Sequence, residues 1–295
     1  MMSALARLHA FLSLAVLLLI RVAAAGEIPE EKRFVFLSST IGPIEASVVP
    51  ALEDAFEKDT GIRVRHVGAG TGAALKMAEG GQIDLVLAHA RPLEEKFVKD
   101  GFGTRRVPVM YNDFVIVGPA SDPARIRGLA KAADALKAIS EKEAPFVSRG
   151  DKSGTHVAEL ELWKKAGIEP KGAWYTVYEK GSQGNSATLL FVSEKSSYTV
   201  IDRATYLGLA KEIRLQVLVE KDEAMLNYIS LIPVSAAKFP RVHQEAADAF
   251  VAWAVDPAKG QALIRDFGKE KFGAPLFFPN SAEYRKAGGL PAGDF

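Results

Sequence analysis

Residues 148–156, with the sequence SRGDKSGTH, place an arginine and small hydroxyl side chains directly before a predicted helix. Arg149 ends a short apolar run, and Ser153 and Thr155 stand where the helix should begin. A guanidinium group forms charge-assisted hydrogen bonds to oxyanions, and the free amides of a helix N-terminus attract negative charge. These residue types predict a loop that holds an anion, since no obvious base or nucleophile accompanies them.

Four other loops have the same chemical character. Ser38 and Ser39 follow the first predicted strand in SSTIGPIE, and Thr71 lies between two glycines in GAGTG. The loops KGSQGNSATL and IDRATYL occur later in the chain. Each hydroxyl alone is typical of a helix N-cap. However, all of these loops fall at the carboxyl ends of predicted strands, where open α/β sheets bind ligands. We therefore expect the loops to converge on one anion.

Catalytic and metal-binding alternatives find little support in the sequence. The chain has no cysteine, and its five histidines have none of the spacings of zinc motifs. GDKSG differs from the GxSxG motif of hydrolases, GAGTG lacks the spacing of a dinucleotide loop, and no P-loop motif is present. We interpret His156 as a surface residue of the first helical turn. Two local ion pairs, Arg149 with Asp151 and Asp202 with Arg203, remain as structural alternatives to anion binding.

Composition limits the class of protein. The 295 residues carry a formal net charge of +1 without a basic block, which disfavours nucleic-acid binding. Residues 1–25 combine Arg7, the apolar run LHAFLSLAVLLLI and an A-x-A arrangement of Ala23 and Ala25. This order is typical of a secretory signal peptide cleaved after Ala25, and the run is shorter than the ~20 residues that span a bilayer. We therefore expect a periplasmic protein.

Short apolar runs alternate with amphipathic segments, which predicts two α/β units with parallel sheets. Two long runs rich in β-forming residues separate the units. The sequence therefore predicts an α/β fold of two doubly wound lobes joined by a two-strand hinge. We assign residues 26–113 plus 230–295 to lobe I and residues 114–229 to lobe II. Helices at 240–255 and 257–267 are expected to return and cover lobe I.

The segments VMYNDFVIVGP, FVSRGDKSGTHVAELELW and YTVIDRATYL resemble the periplasmic tungstate-binding proteins of ABC importers, and the similarity extends over most of the chain. The resemblance implies the type II periplasmic binding-protein fold, in which two lobes close on a tetrahedral oxyanion such as tungstate or molybdate. It also implies a monomer, without cofactor or enzymatic activity, that delivers the anion to a membrane permease. The anion contacts that it implies are Ser38, Ser39, Thr71, Arg149, Ser153 and Thr155.

Two loops depart from the pattern of this family. Its first loop resembles T-T-T-S-T-x-D-S-G-L, whereas this chain has FLSSTIGPIEA, and GSQGNSATL replaces the family's G-x-G-M-G-x-T-L. Because the implied contacts are all hydrogen-bond donors, we expect a fully deprotonated anion to bind and hydrogen phosphate to be rejected. Two alternatives stay open: another oxyanion as ligand, and a sensing subunit of the same fold that reports to a membrane receptor.

Overall fold

A computed structural model describes residues 28–290, and the predicted signal peptide lies outside this range. The strands are β1 (Phe34–Thr40), β2 (Arg63–Ala69), β3 (Leu85–Ala88), β4 (Val107–Pro119), β5 (Phe146–Ser148), β6 (Tyr175–Val177), β7 (Thr199–Asp202), β8 (Leu215–Val219), β9 (Leu226–Pro233) and β10 (Phe278–Pro279). The α-helices are α1 (Ile41–Glu45), α2 (Val48–Thr60), α3 (Thr71–Glu79), α4 (Arg91–Lys99), α5 (Ala132–Glu141), α6 (Gly154–Ala166), α7 (Asn185–Glu194), α8 (Arg203–Leu209), α9 (Gln244–Val255), α10 (Gly260–Asp266), α11 (Lys269–Phe272) and α12 (Ala282–Ala287).

Lobe I is built around a mixed sheet with the strand order β2–β1–β3–β9–β4–β10. Strand β1 pairs in parallel with β2 and β3, whereas β9 runs antiparallel to both β3 and β4. The apolar residues of α2 recur at helical spacing, so Val49, Leu52 and Phe56 all join one core cluster. Helix α9 adds Phe250 to that cluster, while α3 contributes Leu75 to a second one. The sheet is therefore covered by helices on two sides.

Lobe II forms on the second half of β4. Strands β7 and β8 both pair antiparallel with this half. Strand β5 pairs in parallel with β6, and a bridge joins Phe146 to Tyr198, next to β7. Helices α5 and α6 enclose an aromatic core in which the ring centroids of Phe146 and Trp163 lie 5.1 Å apart. Helix α7 contributes Leu189 to a separate apolar cluster. The loop after β5 thus leaves a well-packed sheet at its carboxyl end.

The chain passes between the lobes twice. Strand β4 is continuous across both lobes, since Asp113 pairs with β9 and the next residue, Phe114, pairs with β7. The return crossing lies between Val219, at the end of β8, and Leu226, at the start of β9. Two extended crossings are typical of lobes that open and close by hinge bending. The exact domain limits stay a prediction, although the strand pairing favours a second boundary near Leu226 over one at 229/230.

The predicted α/β fold of two lobes is confirmed. The last long helices begin later than predicted, at Gln244 and Gly260, and both contribute to the core of lobe I, where β10 adds an edge strand. Strand β8 is missing from the predicted elements. No glycine or proline separates the end of α8 at Leu209 from Leu215, so the sequence does not mark the boundary.

Candidate functional site

A small cavity of about 50 Å³ lies between the lobes, beside the strand crossing. Residues from all five predicted loops line it, together with Asn112 and Asn227 of the crossing strands and His89 after β3. A wider cleft of about 840 Å³ adjoins this cavity and shares His89 and Gly154 with it. The loops that the sequence singles out therefore meet at one site between the lobes.

Lobe I brings two unpaired hydroxyl groups to this region. Thr40, the last residue of β1, lines the small cavity, and Thr71, the first residue of α3, lines the wider cleft. Both Oγ1 atoms are buried and have no hydrogen-bond partner within residues 28–290. A buried hydroxyl without a partner is costly, and a bound oxyanion would accept a hydrogen bond from each. Sequence reasoning selected Thr71 but missed Thr40.

Ser38 and Ser39 use their hydroxyl groups inside lobe I. The Ser38 Oγ donates to the carbonyl oxygen of Ala74 at 3.2 Å, and the Ser39 Oγ donates to that of Thr40 at 3.0 Å. Both serines are fully buried, and neither lines the small cavity or the wider cleft. The observed contacts therefore favour Thr40 as the hydroxyl donor of the first loop.

Lobe II presents the N-terminus of α6 to the cavity. Ser153 is the N-cap, and its Oγ accepts a long hydrogen bond of 3.4 Å from the amide of His156. Ser153, Gly154 and Thr155 all line the cavity. The first amides of a helix have no carbonyl partner within the helix, so those of Gly154 and Thr155 can donate to an anion. His156 turns away to accept from the amide of Lys152 at 2.9 Å.

Arg149 is buried at the edge of the cavity and held from three directions. Its Nε donates to the carbonyl oxygen of Gly181 at 3.0 Å, and its Nη1 donates to the Asn185 Oδ1. Its Nη2 lies 2.9 Å from the Asp151 Oδ2. The ion pair with Asp151 is thus present, and its two side chains are only 8% and 13% exposed. These contacts fix the guanidinium plane, and each terminal nitrogen keeps a second N–H for a ligand.

Asp202 takes part in the support of Arg149 through Asn185. The Asn185 Nδ2 donates to the Asp202 Oδ2 at 2.6 Å, and Asp202 caps α8 by accepting from the amide of Thr205 at 2.8 Å. Arg203 instead pairs with Asp113, so the local pair of Asp202 with Arg203 is wrong. Nothing in the sequence marks Asn185 beyond its place in the GSQGNS loop.

A hydrogen-bonded chain of three polar side chains crosses the back of the cavity. Asn112 and Asn227 are direct partners in the pairing of β4 with β9. The Asn227 Nδ2 donates to the Asn112 Oδ1 at 2.7 Å, and the Asn227 Oδ1 lies 2.7 Å from the His89 Nδ1. Burial lowers the pKa of His89, against the opposing effect of the Asn227 hydrogen bond. Sequence reasoning missed this His89–Asn227–Asn112 chain because strand pairing alone brings its members together.

Carboxylates also line the cavity, beside the predicted donors. The cavity is lined by Asp202 and by Glu45, the last residue of α1. Glu45 reaches toward lobe II, where a Cβ added to Gly184 would stand 3.0 Å from the Glu45 Oε1. The argument for rejection of hydrogen phosphate is therefore weaker, because a carboxylate at the cavity could accept the hydrogen bond from its remaining proton.

No group of three histidine or acidic side chains within residues 28–290 has an arrangement that could hold a metal ion. The helices of the same range are too short or too polar to cross a membrane.

Two α/β lobes around a polar cavity at a double strand crossing define the class of periplasmic binding proteins. The sequence matches the profile of the PBP superfamily domain over residues 36–258. Two crystal structures are similar to the fold. The tungstate-binding protein TupA of Desulfovibrio alaskensis has a TM-score of 0.76 at 42% identity, over 84% of this chain and 99% of that one. A tungstate ABC transporter structure from Geobacter sulfurreducens has a TM-score of 0.71 at 41% identity, over 79% and 98%.

Relatives in sequence narrow the class further. The tungstate-binding protein TupA of Peptoclostridium acidaminophilum is 41% identical over 256 residues, which cover 86% of this chain and 88% of the relative. A putative ABC transporter anion-binding protein of Haloferax volcanii is 39% identical over 250 residues, or 83% and 71% of the two chains. The chain therefore belongs to the periplasmic binding-protein superfamily and, within it, to the TupA family.

Proposed function

We propose that this protein captures tungstate, or molybdate, between its two lobes outside the cytoplasm and delivers it to the membrane permease of an ABC importer. The observation that carries the proposal is the convergence of unused donors on one interlobe cavity. Thr40 offers a buried hydroxyl without a partner, α6 offers the free amides of Gly154 and Thr155, and Arg149 offers a fixed guanidinium group. Relatives that carry the names of tungstate- and anion-binding proteins support this choice of ligand.

The anion is the cargo of this site and not the substrate of a reaction. The polar side chains that line the cavity within residues 28–290 are hydroxyls, amides, a guanidinium group, two carboxylates and the His89 imidazole. The Ser153 hydroxyl contacts the backbone amide of His156, whose ring accepts from the amide of Lys152, so these two residues do not form a serine–histidine dyad. Function as a binding protein therefore requires neither a cofactor nor a catalytic residue. We expect a monomer, because the anion is enclosed by the two lobes of a single chain.

Closure of the lobes accounts for ligand retention. Thr40 belongs to lobe I, whereas Arg149 and Thr155 belong to lobe II, so one anion contacts both lobes only when they are closed. A ligand shifts a conformational equilibrium by its differential affinity for the two states. Anion binding should therefore favour the closed form, and release to the permease should require opening.

Isothermal titration calorimetry tests the ligand. Tungstate and molybdate should bind with similar affinity, since they share charge and nearly the same size. Sulfate should bind far more weakly because its shorter bonds leave its oxygens away from some donors. Native mass spectrometry of the purified protein gives an independent reading of the bound mass. Displacement of tungstate by sulfate at comparable concentration would rule out the proposed ligand.

A further inference from the structure

Both ends of the His89–Asn227–Asn112 chain face the anion cavity. At one end, the His89 Nδ1 is engaged with Asn227, while Nε2 makes no hydrogen bond within residues 28–290. Nε2 lies against the first residue of α6, since a Cβ added to Gly154 would stand 2.5 Å from it. At the other end, Asn112 uses its Oδ1 for Asn227 and leaves its Nδ2 at the cavity.

The number of protons on the His89 ring decides which hydrogen-bond donors and acceptors the His89–Asn227–Asn112 chain presents to a ligand. In the observed orientation, Asn227 donates to Asn112 and accepts from His89 Nδ1. A neutral imidazole carries a single proton, so Nε2 then presents a lone pair. If both amides are turned over, Nε2 carries the proton, but Asn112 presents its carbonyl oxygen. A neutral chain therefore always gives the cavity one donor and one acceptor.

An oxyanion without protons accepts hydrogen bonds but cannot donate one. With the amides in the observed orientation, an imidazolium ring donates to Asn227 through Nδ1 and keeps a second N–H at Nε2, while Asn112 keeps its Nδ2 as a donor. Only this charged ring turns both ends of the chain into donors. Without an anion, burial holds the pKa of His89 below its ordinary value, so the ring is neutral at pH 7. A doubly charged ligand at hydrogen-bond distance favours the charged ring and raises that pKa.

Other charged groups border the same space, so a proton held by His89 must be distinguished from a proton held by one of them. Glu45, Asp202 and Arg149 line the small cavity with it. The wider cleft adds Arg91, Arg106, Lys152 and Glu161. Asp202 already accepts from Asn185 and from Thr205, and Arg149 is fixed by its own partners. Among the carboxylates of the small cavity, Glu45 is thus the competing carrier of a proton.

We propose that the site binds its oxyanion together with one proton, which is taken from solvent and held on the His89 Nε2. The bond between the proton and its donor, a hydronium ion or a buffer acid, breaks as the Nε2–H bond forms, and the conjugate base stays in solvent. The new N–H donates to an anion oxygen. The inference rests on the proposed function and adds a pH dependence to it. Affinity should increase as the pH falls, by up to tenfold per pH unit where one proton is taken up per anion.

Calorimetry of tungstate binding in buffers of different ionisation enthalpy counts the protons taken up. Between about pH 6 and pH 8, where histidine titrates, the wild-type uptake should approach one proton per anion at its maximum. His89→Gln keeps a polar side chain that cannot titrate, so its uptake should vanish and its affinity should become independent of pH. Glu45→Gln is the matched control and should retain the uptake.

Several outcomes would overturn the inference. Normal tungstate affinity of the wild type without proton uptake would overturn the inference. This measurement needs no variant, so it stands even if His89→Gln fails to fold. Uptake that persists in His89→Gln, or that disappears in Glu45→Gln, would assign the proton to another group. Absence of tungstate binding at every pH would instead contradict the proposed function itself.

Discussion

Arg203 and Asp113 form a two-point ion pair at the place where β4 crosses between the lobes. The Arg203 Nε lies 2.8 Å from the Asp113 Oδ1 and 3.0 Å from its Oδ2, and Nη2 also contacts this carboxylate. The Arg203 Nη2 additionally lies 2.9 Å from the Glu220 Oε2, in the segment that leads to the second crossing. One side chain at the start of α8 therefore ties both hinge segments to lobe II.

Replacing Arg203 with methionine should destabilise the fold and loosen the hinge. Asp113 is buried and would keep an unpaired charge, which costs on the order of 3 kcal/mol in free energy of unfolding. The double variant Asp113→Asn/Arg203→Met should recover part of that loss, since it removes both charges. Urea denaturation measures the stability, and small-angle scattering without anion measures the lobe separation. Equal stability of Arg203→Met and wild type would show that the pair is not structural.

Gly154→Ala should oppose closure of the lobes. A Cβ at this position would stand 2.1 Å from the His89 Cε1, far inside contact distance, so His89 or the whole of α6 must move. We expect at least a tenfold loss of tungstate affinity by calorimetry with little change in folding. Gly208→Ala is a suitable control, because nothing lies within 4 Å of its added Cβ. Unchanged affinity in Gly154→Ala would mean that the lobes bind the anion without this close approach.

Arg149→Ala should reduce anion affinity by about 2–5 kcal/mol, the scale for removing one partner of a buried charged pair. The same change leaves Asp151 without its cation, so thermal unfolding must be followed beside calorimetry. Thr155→Ala should lose only about 1 kcal/mol, because it removes a neutral donor. Arg127→Ala, whose side chain is exposed and contacts Gln216, serves as the control for loss of a positive charge. Less than a tenfold loss in Arg149→Ala would make that arginine structural.

Thr40→Val and Ser38→Ala should separate ligand contact from structural support. Valine removes the unpaired Thr40 hydroxyl at nearly constant shape, so affinity should fall by about 1 kcal/mol while stability holds or improves. Ser38→Ala removes the hydrogen bond to Ala74 and should lower stability by a similar amount with little effect on affinity. Calorimetry and urea denaturation of both variants give the comparison. Loss of affinity in Ser38→Ala, with normal affinity in Thr40→Val, would instead assign the ligand contact to Ser38.

Glu159 should make stability depend on pH. It accepts from the Ser148 hydroxyl at 2.7 Å and the Tyr175 hydroxyl at 2.8 Å, yet burial dominates and raises its pKa to about 7. Below the ordinary value of 4.5 both the folded and the unfolded state hold the proton. As the pH rises from there to about 7, the unfolded state loses it first. Stability should therefore fall by about 3 kcal/mol across this window and then level off.

Other groups also titrate in this pH range. The difference in free energy of unfolding between wild type and Glu159→Gln isolates the contribution of the Glu159 carboxyl group. Urea denaturation of both proteins at several pH values gives that difference. Glutamine, like the protonated carboxyl group, can accept through its oxygen and donate to the Ser148 hydroxyl, so its stability should lack the decline. A constant difference from pH 4.5 to 8 would show that Glu159 does not titrate in that range.

The sequence by itself determined the two-lobed α/β architecture and the loops that line the candidate site. Apolar periodicity encodes which segments are strands and helices, and the residues at strand ends are adjacent in sequence to those elements. The loop of Arg149, Ser153 and Thr155 was therefore predictable, as was Thr71 at the start of α3. These features are local, so the order of residues along the chain is enough to reveal them.

Only the tertiary structure decided which side chain of each loop faces the cavity. Ser39 and Thr40 are neighbours in one strand, yet side chains alternate between the faces of a strand, and burial left Thr40 alone with a free hydroxyl. Asn112 and Asn227 are 115 positions apart and meet through the register of β4 with β9, and they are joined by His89, the residue that follows β3. Pairing of distant strands is a long-range outcome of packing, which no local pattern specifies.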